Sequence, residues 1–223
     1  IAEYNSKRIL PASIKVTSQE IALTEEMIQQ HFELINSVTQ KIRENESNAD
    51  LYFFRALEYA LVQDFPNAID DLNKAIHAKS DFTLAYFMRA TIRYKFTDYR
   101  KNAARELNSG ISSELRENIA PDSEYKLDIE LILRDLDKVG ELQPDFSFSY
   151  FNKANILSSQ KDFKTAIQLY TRAIDKDKEF AEAYFNRGLT YLFIGEDTKG
   201  LADLSKAGEL GIYGAYNLIQ RFK

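Results

Sequence analysis

Four stretches of the chain repeat one pattern of aromatic, small and polar positions. Each opens on a tyrosine followed by a phenylalanine, with a basic residue three positions and a small residue four positions after the tyrosine. The lead tyrosines are Tyr52, Tyr86, Tyr150 and Tyr184. The first two and the last two are 34 residues apart, whereas 64 residues, which is 34 plus 30, separate the middle two. Such a fixed period predicts stacked structural repeats.

The remainder of each stretch predicts a pair of antiparallel helices. In three of the four, small residues stand 16 and 23 positions after the lead tyrosine, and a leucine or tyrosine stands 20 positions after it. Small side chains let two helices approach closely while larger side chains of the partner fill the space between them. Short polar segments such as residues 63–66 and 161–163 supply the turns. The sequence therefore predicts an all-α chain of stacked helix pairs.

This pattern resembles the tetratricopeptide repeat (TPR), with tyrosine where that family often has tryptophan. The resemblance covers about residues 49–212, and the helix-closing proline of the family occurs once, at Pro144. It implies a right-handed α-solenoid, a TPR-like superhelix of antiparallel helix pairs. Capping helices are expected at both ends, because a bare terminal face would expose core.

The chain is predicted to divide into an arm and this solenoid. Residues 1–23 lack a helical period and predict an extended arm or linker. The solenoid, residues 24–223, is expected to hold a leading degenerate repeat or cap helix at 24–48, repeats at 49–82, 83–146, 147–180 and 181–212, and a C-terminal capping helix at 213–223. In the leading segment, Thr24 and two glutamates predict a helix start. The apolar residues after it predict a single stripe: Met27, Phe32, Leu34, Ile35, Val38 and Ile42.

The 30 extra residues after Tyr86 allow two interpretations. In the first, the helices of that repeat lie at about 83–96 and 124–142, and residues 97–123 are an insertion in the turn between them. In the second, the second helix lies at 99–115 and uses Ala103, Leu107 and Gly110, with a slip of one residue. We favour the insertion, since long insertions in turns cost little stability.

Composition argues against most kinds of chemistry. The net charge of −5 disfavours a nucleic-acid surface, which needs clustered Lys and Arg. No apolar run is long enough to span a membrane, and the absence of cysteine excludes thiolate chemistry. His31 and His77 each lack the neighbouring ligands of a zinc site. Because nucleophile and phosphate-loop motifs are also absent, we predict no catalytic residues, no cofactor and no metal site.

The residues after each lead tyrosine remain as candidates for binding. In the resembling fold the lead aromatic is core, and the positions one, two and five after it line the concave face. Here these positions hold Phe53, Phe54, Leu57, Phe87, Met88, Thr91, Phe151, Asn152, Asn155, Phe185, Asn186 and Leu189. Aromatic, methionine and amide side chains suit an extended or helical peptide. The alternative is that the four phenylalanines pack between neighbouring helices, or are covered by the arm or the insertion.

A basic residue recurs three positions after each lead tyrosine, as Arg55, Arg89, Lys153 and Arg187. These side chains either form an anion-binding row or lie along their helices with their heads in solvent or paired to a neighbouring acid. We favour the second interpretation, because long basic side chains readily cover apolar surface in this way.

The predicted function is therefore a non-catalytic module or scaffold that binds a peptide segment or partner domain in its groove. The sequence does not identify the partner. The alternatives are a structural module that self-associates into a homo-oligomer, and an accessory domain of a larger envelope protein or enzyme. Because the chain begins at Ile1 rather than Met, we interpret it as a piece of a longer TPR protein, of bacterial origin. We expect it to be soluble, in the cytoplasm or in a bacterial periplasm or cell envelope.

Overall fold

The computed structural model describes residues 23–109 and 125–222, and the regular structure in these two ranges is helical. Its helices are α1 (Glu25–Glu44), α2 (Ala49–Leu61), α3 (Phe65–Ala78), α4 (Thr83–Ser109), α5 (Lys126–Leu142), α6 (Ser147–Ser159), α7 (Phe163–Lys176), α8 (Ala181–Ile194), α9 (Asp197–Glu209) and α10 (Gly214–Gln220). The predicted all-α fold class is thereby confirmed. The arm predicted at residues 1–23, apart from Leu23, lies outside the described residues.

The chain forms two compact units. The first belongs to residues 18–142, where α1 is followed by the helix pairs α2–α3 and α4–α5. The second belongs to residues 143–223, where the pairs α6–α7 and α8–α9 are followed by α10. Within each unit every helix packs on the helix that precedes it and on the one that follows.

Small residues set the close approach inside each helix pair. Ala56 and Ala68 are fully buried between α2 and α3, and Ala154 and Ala166 hold the same repeat positions in α6 and α7. The pair α8–α9 has glycine at both positions. A Cβ atom added to Gly200 would lie 2.7 Å from the Leu192 side chain and 2.9 Å from a backbone oxygen. No larger side chain fits there without a shift of one helix.

The turn inside a helix pair has the same backbone in three repeats. The residue 11 positions after the lead tyrosine has a positive φ, which is 62° at Gln63, 68° at Lys161 and 91° at Gly195. In two of these turns the next residue, Asp64 or Asp162, then caps the following helix with its side chain. The left-handed conformation strains residues other than glycine, so two of the three turns carry that strain.

The end predicted for the first helix of the interrupted repeat is wrong. We expected it at about residue 96, but α4 continues without a break to Ser109. Residues 97–109 contain neither glycine nor proline, and the Phe96 ring packs against Phe65 with ring centres 5.8 Å apart. The competing second helix at 99–115 is wrong as well, since residues 99–109 belong to α4 and α5 is the helix that packs on it. The rest of the predicted insertion lies outside the described residues.

The apolar stripe predicted for α1 is buried only in part. Ile35 and Ile42 are buried, whereas Met27, Phe32 and Leu34 are 36%, 45% and 50% exposed. Among the described helices only α2 packs on α1, so a single narrow face of α1 is covered. The predicted stripe is thus divided between buried and exposed positions.

Candidate partner-binding surface

An arginine clamp fixes α2 between its two neighbours. The Arg55 guanidinium donates to both carboxylate oxygens of Asp71 on α3, at 2.6 and 2.7 Å, and to the Thr39 hydroxyl on α1, at 2.9 Å. Asp71 is almost completely buried. The hydrogen bonds from Arg55 to Asp71 raise the pKa of the guanidinium, so the group stays charged. One side chain thus ties three helices together.

The same clamp recurs in two further repeats. Arg89 donates to Asp135 on α5 and to Asn73 on α3. Arg187 donates to Asp203 on α9 and to Thr171 on α7. For these arginines and Arg55 the predicted pairing with a neighbouring acid is confirmed. The repeat that begins at Tyr150 has Lys153 and Leu169 at the two positions, so it has no arginine–aspartate pair of this kind.

A second polar contact joins α2 to α1. The Glu58 carboxylate lies 2.6 Å from Nδ1 of His31 on α1, and both side chains are about one-fifth exposed. Four large apolar side chains frame this pair, and we name them the apolar quartet: Met27, Leu34, Phe54 and Leu61. Their exposed fractions are 36%, 50%, 57% and 49%.

The spacing of the quartet places its members on one side of the α1–α2 pair. Met27 and Leu34 stand four residues before and three residues after His31, and Phe54 and Leu61 stand four before and three after Glu58. Residues three and four apart share a face of a helix. Because the His31–Glu58 contact joins those two faces, the quartet forms two apolar rows with a polar pair at the centre.

The predicted groove residues of the first unit fall into three groups. Phe53 is half-buried and its ring packs on Phe82, with ring centres 4.9 Å apart, while Met88 packs against the same core. Phe54 stands free of the core and belongs to the quartet. The remaining three are half-buried: Leu57, Phe87 and Thr91.

In the second unit most of the predicted groove residues are core. Phe151, Phe185, Asn186 and Leu189 are buried, and only Asn152 and Asn155 are half-buried. The idea that Phe151 and Phe185 line an open groove is therefore wrong. The reason for Phe151 is Phe180, whose ring centre lies 4.7 Å from that of Phe151 and which also contacts Phe148. The packing alternative raised from the sequence describes these rings correctly.

Asn155 and Asn186 of the second unit share a polar network with the buried Tyr170. The Tyr170 hydroxyl donates to Oδ1 of Asn155 at 2.6 Å, and the Asn186 amide donates to the same oxygen at 2.7 Å. Tyr170 is fully buried, and this burial raises the pKa of its hydroxyl well above the ordinary value. The network fixes the Asn155 carboxamide at the edge of the core.

Sequence reasoning missed three members of the quartet. Met27 and Leu34 were placed in the apolar stripe of α1 together with Ile35 and Ile42, and Leu61 was not singled out. A finer use of the helical period would have separated them, because Ile35 and Ile42 are seven residues apart and define the buried face. Leu34 is turned from Ile35 by about 100° around the axis, which places it outside a face only one residue wide.

Residues 23–109 and 125–222 contain no group of three His, Cys, Asp or Glu side chains that could hold a metal ion. Within the same ranges, no helix has the length and apolar character needed to cross a bilayer.

Comparisons with known proteins find similarity over parts of the chain. A family model described as TPR repeat matches residues 154–195. Hsp70-Hsp90 organizing protein 1 of Glycine max is 29% identical over 163 residues, a match that covers 70% of this chain and 28% of that protein's length. The chain thus corresponds to less than a third of that relative.

Solved structures of TPR proteins share the fold. MamA from Desulfovibrio magneticus superposes with a TM-score of 0.62 at 12% identity, covering 86% of this chain and 96% of the other. A thermophilic TPR protein of Thermus thermophilus superposes with a TM-score of 0.57 at 12% identity, covering 88% and 96%. Together with the 34-residue period and the helix pairs described above, these likenesses show that the chain has the fold of tetratricopeptide repeat proteins.

Proposed function

We propose that this chain is a non-catalytic interaction module that binds a segment of a partner protein along the α1–α2 pair. The observation that carries the proposal is the apolar quartet, in which four large side chains are between 36% and 57% exposed on one side of two helices. Apolar side chains gathered in one exposed patch mark interaction sites in soluble proteins. Because the Arg55 clamp holds α1, α2 and α3 together, the patch is rigid before the partner arrives.

The wider groove predicted from the sequence is part of the proposal where its residues stay accessible. Leu57 lies three residues after Phe54 and extends the apolar row of the first unit. In the second unit, taken by itself, the half-buried Asn152 is a separate candidate for a polar contact. Similarity to a protein whose name describes an organizer of Hsp70 and Hsp90 supports a scaffold role. The partner is a protein rather than a nucleic acid, in keeping with the net charge of −5.

Self-association and cellular location are two further proposals. Self-association would use the same quartet, with a second copy of the chain as the partner and a homo-oligomer as the product. A place in the cytoplasm or in a bacterial periplasm or cell envelope, as part of a larger envelope protein or beside an enzyme, is compatible with the helices described.

Photo-crosslinking tests the proposed surface. A benzophenone amino acid is placed at Phe54 or at Leu34, and as a control at Leu127, an equally apolar position of the first unit that is 63% exposed. In extract of the cells that express the protein, we expect one partner to be cross-linked from both quartet positions and not from Leu127. A double Phe54→Ser/Leu61→Ser variant should lose this partner, while Leu127→Ser keeps it. Cross-links of equal yield from all three positions would contradict the proposal.

A further inference from the structure

We draw no further inference here: the strongest candidate, the apolar quartet on the α1–α2 pair, belongs to the surface already described, and nothing in the structure shows what covers it.

Discussion

The second positions after the lead tyrosines of α2 and α6 are equivalent in the repeat, yet they differ in chemistry. Phe54 of α2 stands 57% exposed in the apolar quartet, whereas Asn152 of α6 gives the same place a half-buried amide. One position earlier α6 again holds the more buried residue, because Phe53 is half-buried and Phe151 is fully buried. The second position after the lead tyrosine can therefore hold either an apolar or a polar side chain without a change in the repeat.

The difference arises from the aromatic residue that stands four positions before the next lead tyrosine. Phe82 packs on Phe53 as a single ring. Phe180 packs on Phe151 and also on Phe148, so that three rings close over one another. Burial of Phe151 therefore depends on neighbours in sequence as well as on its own repeat position.

The largest expected effect tests this difference in burial. Phe151→Ala should lower the free energy of unfolding by about 3–5 kcal/mol, because it leaves a cavity where a fully buried ring was. Phe53→Ala should lower it by about half as much, ~2 kcal/mol, since part of that ring already faces solvent. Denaturant titration followed by circular dichroism measures both. Equal losses would show that the two rings are buried alike.

A smaller effect is expected from the polar network of the second unit. Tyr170→Phe should cost about 1–2 kcal/mol at neutral pH, because Asn155 loses the hydrogen bond that the buried Tyr170 hydroxyl donates to it. Tyr213→Phe, at a tyrosine that is 76% exposed, is the matched control and should be close to neutral.

The same tyrosine predicts a pH dependence. Burial raises the pKa of Tyr170 in the folded chain above the value of about 10 expected when unfolded. The folded state then holds a proton that the unfolded state releases, so the stability is fully present below pH ~10 and falls above it by up to about 1.4 kcal/mol per pH unit. The parent should lose stability more steeply than Tyr170→Phe in this range. Parallel slopes would show that Tyr170 ionises as readily as an exposed tyrosine.

The smallest expected effect concerns the turn with a positive φ, which occurs inside helix pairs of both units. Gln63→Gly and Lys161→Gly should each raise the free energy of unfolding by about 0.5–1 kcal/mol, because glycine adopts a positive φ without strain. Gly195→Ala should lower it by a similar amount for the same reason. Thermal unfolding of the three variants measures these shifts, and a loss of stability in both glycine variants would contradict the shared turn.

Most of the helix pairs could be predicted from the repeat period, because aromatic and small residues at fixed spacing define them directly. The placement of α5 was less certain, although the sequence contains a signal that decides it. Arg55 and Arg187 are each followed by an aspartate after 16 residues, and Arg89 by Asp135 after 46, which is 16 plus the 30 extra residues. The aspartates of the clamp thus mark the second helix of each of these repeats.

The binding surface was harder to predict, because exposure depends on what covers each side chain. Phe54 was among the predicted groove residues and belongs to the quartet, but Phe151 and Phe185 were predicted for the same groove and are core. Residues distant along the chain decide the two buried cases, since Phe180 covers Phe151 and Phe185 belongs to a core cluster that includes Leu218. Likewise, Leu34 is exposed because among the described helices α1 has only α2 against it.

The clamp between Arg89 and Asp135 holds the helix pair α4–α5 together although the connection between these helices is longer than in the other repeats. The two residues meet in the same way as Arg55 and Asp71, although 30 more residues lie between them in the chain. Doubling the length of a connection adds only about 0.6 kcal/mol of closure entropy. The connection between α4 and α5 is accordingly a suitable place for a protein engineer to add a reporter domain. The contacts that hold the two helices together form in the same way whether the connection is short or long.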